Sequence, residues 1–278
     1  MSQSERDYCS RCIELGMRLD GRANDDYRPV EVQLGIIAQA NGSSRLRLGL
    51  TDVIAGVKVE VGRPDSGHPD VGRVHVTVEC SSCASPDYEG RGGESWGSQL
   101  AHALERSLSP LKPTEGYGID LGALNIISGK SCWHLYLDAL VLNDDGNVLD
   151  ALSMACYCAL GNTKIPRVEI VAGENGEEPE IELDDDMDNS IRINLHSVPV
   201  ITSVSQVANA YAVDLTLQEE DCSSSTLHVA VGSRGNVCGV TKEGFSSMDP
   251  STMVAMLETA QRTSPKLIRG LLKLLDVT

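Results

Sequence analysis

The chain has 278 residues, 41% hydrophobic and 23% charged, a composition of folded globular proteins rather than disordered or fibrous ones. Forty acidic against 23 basic side chains leave a net charge of −17. Phosphate contacts supply most of the affinity for nucleic acids, so a chain this acidic is a poor candidate for holding RNA or DNA unaided. No apolar run approaches the ~20 residues of a membrane-crossing helix. The polar, acid-bearing residues 1–7 are unlike a signal or transit peptide. With nine cysteines and no export signal, reduced thiols in cytosol or nucleus are expected.

Taken in chain order, residues 4–15 suit a short opening helix, and Leu19-Asp20-Gly21-Arg22 a turn hinged on Gly21. Val30, Val32 and Leu34 alternate with polar neighbours, as a half-buried strand does. Asn41-Gly42, the favoured pair for a two-residue hairpin, predicts a tight connection there. Strands are expected over residues 45–50, 51–61 and 74–78, the second with Val53, Ala55, Val57, Val59 and Val61 on one face. A Gly-rich turn at residues 89–93 leads to a helix over residues 94–108, where Leu100, Ala103, Leu104 and Leu108 form an apolar stripe. Residues 120–127 and 132–142 read as strands, and a strongly apolar helix follows, ending at Gly161 as its C′ residue.

Residues 174–188 are crowded with acids and, with Gly173, Gly176 and Pro179, read as a solvated interdomain or hairpin loop. A second sheet is expected from residues 191–195, 198–204, 210–217, 227–231 and 237–241. Asp249-Pro250 starts the last helix as N-cap and N1, and Pro265 should break or kink it. The division is therefore an N-terminal helix and turn (1–24), a first α/β subdomain (25–190) and a second (191–278).

Several segments, in order, resemble the RNase PH superfamily. They are Leu19-Asp20-Gly21-Arg22, the run 39–43, Leu50-Thr51-Asp52-Val53, the run 89–94, Leu135 to Asp138, and Asp144-Asp145-Gly146-Asn147. The resemblance extends from about Arg18 to Leu275 and is greatest to the ring subunits of the eukaryotic RNA exosome. It implies an α+β, RNase PH-like fold of two α/β subdomains with mixed sheets and packed helices. It also implies a hetero-hexameric ring of RNase PH-like subunits with cap subunits, and RNA in the assembled channel. Nucleus, nucleolus and cytoplasm are the implied locations.

Active members of that superfamily cleave RNA from its 3′ end with inorganic phosphate as the attacking group. Their phosphate pocket lies at a strand-to-helix junction reading Gly-Gly-Thr-Arg, suited to an anion by backbone N–H groups and a guanidinium. The matching positions here are Gly146, Asn147, Val148 and Leu149. The hydroxyl and the guanidinium have become apolar, behind two acids. Active relatives also carry Glu-Asp with a second Asp six residues on; here Glu220-Asp221 is followed by Leu227. The two losses predict a chain without catalysis, the alternative being a phosphate-dependent 3′-to-5′ exoribonuclease. No cofactor or metal is implied. Cys9/Cys12 and Cys80/Cys83 form C-x-x-C pairs, but 67 positions separate them, and reduced, semi-buried cysteines are expected rather than zinc ligands. Arg91, His102 and Arg106 are the candidate RNA contacts, His102 and Arg106 sharing a helix face at i, i+4.

Overall fold

A computed structural model describes residues 1–109, 116–171, 180–184, 189–244 and 246–276. Helix α1 (Gln3–Glu14) begins at a capping box in which Ser2 and Glu5 satisfy each other's backbone N–H groups. Strands β1 (Val30–Leu34), β2 (Gly42–Leu48), β3 (Thr51–Gly62) and β4 (Arg73–Cys80) follow. A 3-10 turn (Pro86–Tyr88) precedes α2 (Arg91–Leu108), then β5 (Asn125–Ile127), β6 (Ser131–Asn143) and α3 (Val148–Asn162). Two ribbons come next, built from β7 (Lys164–Ile165), β8 (Val168–Val171), β9 (Glu180–Leu183) and β10 (Ile191–Arg192). The chain closes with β11 (Val200–Val207), β12 (Ala210–Val213), α4 (Leu217–Glu220), β13 (Ser225–Val231), β14 (Val237–Glu243) and α5 (Pro250–Asp276).

The first sheet runs β1-β2-β3-β6-β4, antiparallel except for the β4–β6 pair, with β5 also on β6. The second is antiparallel in the order β12-β11-β13-β14. Helix α3 is mostly apolar, and residues 148–160 are all buried, Asp150 and Ser153 among them. A helix of that kind has to be covered on every side: it lies on β2 and β3 of the first sheet and on β11 of the second. The two sheets therefore share one central helix. Cys156 and Cys158 sit within it, fully buried. Helix α1, set apart in the sequence as a separate N-terminal unit, packs its Cys9 and Ile13 on Val207, Ala212 and Leu215 of the second half. Among the described residues no helix is long and apolar enough to cross a membrane.

Several local expectations are corrected. Asn41-Gly42 is not the hairpin turn. Gly42 opens β2 against the end of α3, where a Cβ would lie 2.3 Å from Thr163 Oγ1 and 2.6 Å from the Ala159 carbonyl. The two-residue turn is Gly49-Leu50, between β2 and β3, so Leu50 leaves the strand. Residues 120–127 are mostly turn, because Asp120 Oδ1 accepts from the N–H groups of Gly122 and Ala123. Gly161 lies inside α3, packed against Leu195 and Leu275. Leu217 starts α4 rather than ending a strand, since Thr216 and Glu219 form a capping box. Residues 193–195 leave the strand at a turn where Asn194 Oδ1 accepts from the His196 N–H. Part of the acidic stretch is strand β9, paired with β8; residues 174–179 and 185–188 of it lie outside the described residues.

Pro265 does not break α5, which runs unbroken from 250 to 276. Met256, Ala260, Ser264, Ile268 and Leu271 form one buried stripe on both sides of it. Burying three large apolar side chains at about 1.5–3 kcal/mol each outweighs the ~3 kcal/mol cost of an interior proline. Because Gly42 has no room for a side chain, Gly42→Ala should lower the unfolding free energy by about 1–3 kcal/mol. Urea unfolding reads this, with the far-ultraviolet spectrum unchanged.

Candidate functional site

The centre of the molecule is built around one buried carboxylate. Asp214, just after β12, has a left-handed backbone with φ of 50°. Its Oδ1 accepts from Arg28 Nη2 at 2.8 Å and Asn147 Nδ2 at 2.9 Å. Its Oδ2 accepts from Arg22 Nη1 at 2.9 Å and the Arg28 backbone N–H at 2.7 Å. Arg28 then reaches the carbonyls of Asp145 at 2.8 Å and Gly146 at 3.0 Å. Beside it Arg18, buried, donates its Nε to Glu219 at 3.0 Å and its Nη atoms to the carbonyls of Val213 and Asp214, each at 2.8 Å. Burial works to raise the Glu219 carboxyl, but the Arg18 guanidinium wins and holds it below the usual range. Three arginines ahead of β1 thus fasten the turn after β12 to the turn before α3.

That second turn is tightly specified. Thr51 donates its hydroxyl to the Gly146 carbonyl at 2.8 Å and accepts from the Asp145 N–H at 3.1 Å. Gly146 has φ of 85°, and a Cβ there would lie 2.5 Å from the Leu217 nitrogen. Asn147 follows at φ 56°, and its backbone N–H, at the start of α3, donates to Glu220 Oε1 at 2.7 Å. Burial pushes the Glu220 carboxyl up to about 7. The nearby Asp144 and Glu243 add to the rise, against the pull of the Asn147 N–H and Arg28.

These groups edge a cleft of about 710 Å³ between the α2 side of the first half and the second sheet. Tyr88 and Trp96 lie on one wall, Glu220, His228 and Glu243 on the other, and Asp144 at the α3 turn. Tyr88 donates its hydroxyl to Asp144. No lysine or arginine is among the described residues that line it.

The structure places the sequence-predicted residues unevenly. Asn147, Val148 and Leu149 line the cleft, with Gly146 directly behind them against the backbone of residues 215–217. Asp221 does not line it: this half-exposed acid pairs with the N-terminal ammonium of Met1 at 3.7 Å, and the acid facing the cleft is its neighbour Glu220. Leu227 is buried in a core with Val204, Val229 and Met256. Strand alternation therefore gives the cleft Thr226 and His228 from β13 instead. His102 and Arg106 are both exposed on α2 but border different grooves. His102 lies beside β4, while Arg106 edges a smaller cavity of about 430 Å³ with Leu149, His228 and Thr241. Arg91 is at the far end of the same helix, in its first turn. Cys9 and Cys12 lie on α1, Cys80 at the end of β4 and Cys83 in the loop after it.

Sequence reasoning missed Asp150, Ser203, His228 and Glu243, which are joined by hydrogen bonds beneath the cleft. One signal was present: Thr202, Ser203 and Ser205, with the part-buried Gln206, interrupt a strand whose other residues are buried and apolar.

Residues 26–166 match the sequence profile of the 3′ exoribonuclease family, domain 1, named for RNase PH, and residues 197–263 match its domain 2. The chain belongs to the RNase PH family. A protein of Dictyostelium discoideum named as the exosome complex exonuclease RRP42 is 35% identical to it, covering 96% of this chain and 95% of that protein. The exosome complex component Rrp42 of Methanopyrus kandleri is 34% identical, over 83% and 81% respectively. A structure of the Archaeoglobus fulgidus exosome with RNA bound to its active site contains a chain 30% identical. It superposes with a TM-score of 0.78 and covers 96% of this chain and 97% of its own. The match extends through both sheets and confirms the RNase PH-like fold.

Two outcomes follow from the geometry of this family member. Asp214→Ala leaves the Arg28 guanidinium buried without its partner, a loss of about 3–5 kcal/mol for broken buried pairs, to be read by denaturant unfolding. Glu220 has a folded value raised to about 7 from an ordinary 4.5. Its favourable contribution to folding is fully present below that ordinary value and lost as the pH rises through about 7. Glu220→Gln should therefore flatten the stability profile over that interval and leave the protein more stable at pH ~8 than the parent.

Proposed function

We propose that this RNase PH family chain is a non-catalytic subunit of an RNA exosome ring. In that role it supports 3′-to-5′ processing and degradation of RNA, ribosomal RNA included, through partners. The RRP42-type relatives are exosome proteins by name, one an exosome complex exonuclease and the other an exosome complex component, and their likeness covers 96% and 83% of this chain. Its neighbours in the ring would be other RNase PH-like subunits, with cap subunits above them and RNA in the shared channel. Nucleus, nucleolus and cytoplasm are the proposed locations.

The observation that carries the non-catalytic part is the Glu220 carboxyl group on the backbone N–H of Asn147, the N-cap of α3. A helix N-terminus attracts an anion, and here a carboxyl group of the chain already stands at its edge. Val148 and Leu149 stand where a hydroxyl and a guanidinium would help hold phosphate, and Asp144 adds like charge beside them. Each feature opposes phosphate binding, and together they leave the cleft with carboxylates and no strong cation among its described lining. The excess of acids also suits pairing with more basic neighbours, since complementary charge selects partners and speeds their encounter. For RNA contact, Arg91, His102 and Arg106 are the proposed residues, Arg106 being the one that stands beside the cleft system.

Two measurements test this. Affinity purification of the tagged chain from native extract, followed by mass spectrometry, should recover other RNase PH-like chains and cap proteins in near-equal amounts. Recovery of the chain alone, or only with itself, would sink the ring assignment. The purified chain should release no nucleoside diphosphate from RNA when phosphate is added, and phosphate-dependent release would establish the enzymatic alternative.

A further inference from the structure

Four polar side chains beneath the cleft form an unbroken run of hydrogen bonds from the second sheet to the central helix. Glu243 Oε2, on β14, lies 2.9 Å from His228 Nε2 on β13. His228 Nδ1 lies 2.7 Å from Ser203 Oγ on β11, and that oxygen lies 2.5 Å from Asp150 Oδ1 on α3. The other oxygen of Asp150 accepts from the Ser203 backbone N–H at 2.9 Å, the Tyr27 hydroxyl at 2.8 Å and the Asn147 amide at 3.1 Å. Ser203, His228 and Glu243 follow the order of a hydrolytic triad. The Ser203 oxygen, however, is also bound to Asp150 and is nearly buried, which makes it a poor nucleophile.

The hydrogens in this run can be counted. An ionised carboxylate only accepts, so the contact with Glu243 puts a hydrogen on His228 Nε2. The hydrogen bond from His228 holds the Glu243 carboxyl below its usual range, which agrees with that assignment. Two contacts remain, Nδ1 to Oγ and Oγ to Oδ1, and the Ser203 hydroxyl supplies a single hydrogen for both. With a neutral imidazole and an ionised Asp150, two acceptors compete for one donor, and a buried acceptor is left unmet. One more proton, on Nδ1 or on Oδ1, satisfies every atom.

We infer that Asp150, Ser203 and His228 hold one shared extra proton, which latches helix α3 to the second sheet and is released as the pH rises. Other charged groups surround the run. Asp144 and Glu220 face His228 across the main cleft, Glu105 and Arg106 of α2 across the smaller one, and Asp214 with Arg22 and Arg28 stands behind Asp150. The arginines behind are committed to Asp214, while the carboxylates facing the cleft favour retention of a proton. Burial pushes the Asp150 carboxyl upward, in the same direction.

The sign of the effect is fixed. In the unfolded chain above about pH 6.5 the histidine is mostly neutral and the aspartate ionised, so the folded run binds one proton more. Its contribution is fully present below about that pH and is lost as the pH rises through the value at which the shared proton leaves. One proton corresponds to about tenfold in the folding equilibrium per pH unit at most.

The test uses the full chain. Denaturant unfolding between about pH 6.5 and 8.5 compares the parent with His228→Gln and with Ser203→Ala, which cuts the run but keeps both titrating groups. NMR of the histidine ring nitrogens, with His228 assigned by its absence from the His228→Gln spectrum, follows the ring directly. The expected result is a parent whose folding equilibrium falls up to about tenfold more per pH unit than that of either variant, with the His228 signals changing at higher pH in the parent than in Ser203→Ala. A parent pH profile parallel to both variants overturns the inference, as do His228 signals that follow pH identically in parent and Ser203→Ala.

Discussion

Everything that defines the cleft depends on the buried carboxylate of Asp214. A lone carboxylate in a dry interior is strongly unfavourable, and this one is tolerated because two guanidinium groups, a backbone N–H and an amide converge on it. The same convergence fixes three pieces of chain that are distant in sequence. They are the segment before β1, the turn into α3 and the turn after β12. Asn147 is held in its left-handed conformation from both sides, by Asp214 and by Asp150. The α3 N-terminus is therefore presented to Glu220 by the clamp rather than by any property of the helix itself.

Electrostatics then decide what the cleft can hold. Arginines are plentiful around it, but Arg18, Arg22 and Arg28 spend their donors on buried acids and carbonyls. What reaches the open space is apolar, acidic, hydroxylic and aromatic, with the His228 imidazole among it. The cleft of this family member carries carboxylates and no lysine or arginine among its described lining. The raised value of Glu220 reports the same field. Arg18, Arg22 and Arg28 face inward and support the structure, and carboxylates are what the described cleft lining offers in charge.

Much of the fold was legible because local rules and tertiary packing agree. The valine alternation of β3 and β4 and the apolar stripe of α2 reach the structure nearly as read. The errors fall where a short polar interaction or a close approach overrides pattern. Asp120 makes a turn inside an apolar run, Thr216 and Glu219 cap a one-turn helix, and Gly42 serves a contact with α3 instead of a hairpin. Pro265 is the opposite case, in which long-range burial overrides a local rule. At the candidate site, the turn at residues 146–149 could be located from the letters. Its neighbouring acid could not, because choosing between Glu220 and Asp221 requires knowing how α4 is rotated.

The sequence by itself determined the strand and helix periodicities and the ordered motifs that resemble the family, with apolar residues at Val148 and Leu149. Those are properties of composition and spacing along the chain. Only the tertiary structure decided that Arg18, Arg22 and Arg28 belong to Glu219 and Asp214, nearly two hundred residues away. It alone placed Glu220 on the helix N-terminus and joined Asp150, Ser203, His228 and Glu243 in one run. The physical reason is that periodicity tells which face of an element is buried, but a hydrogen bond depends on what stands opposite. For these residues the opposite partner comes from another sheet or helix, brought there by folding.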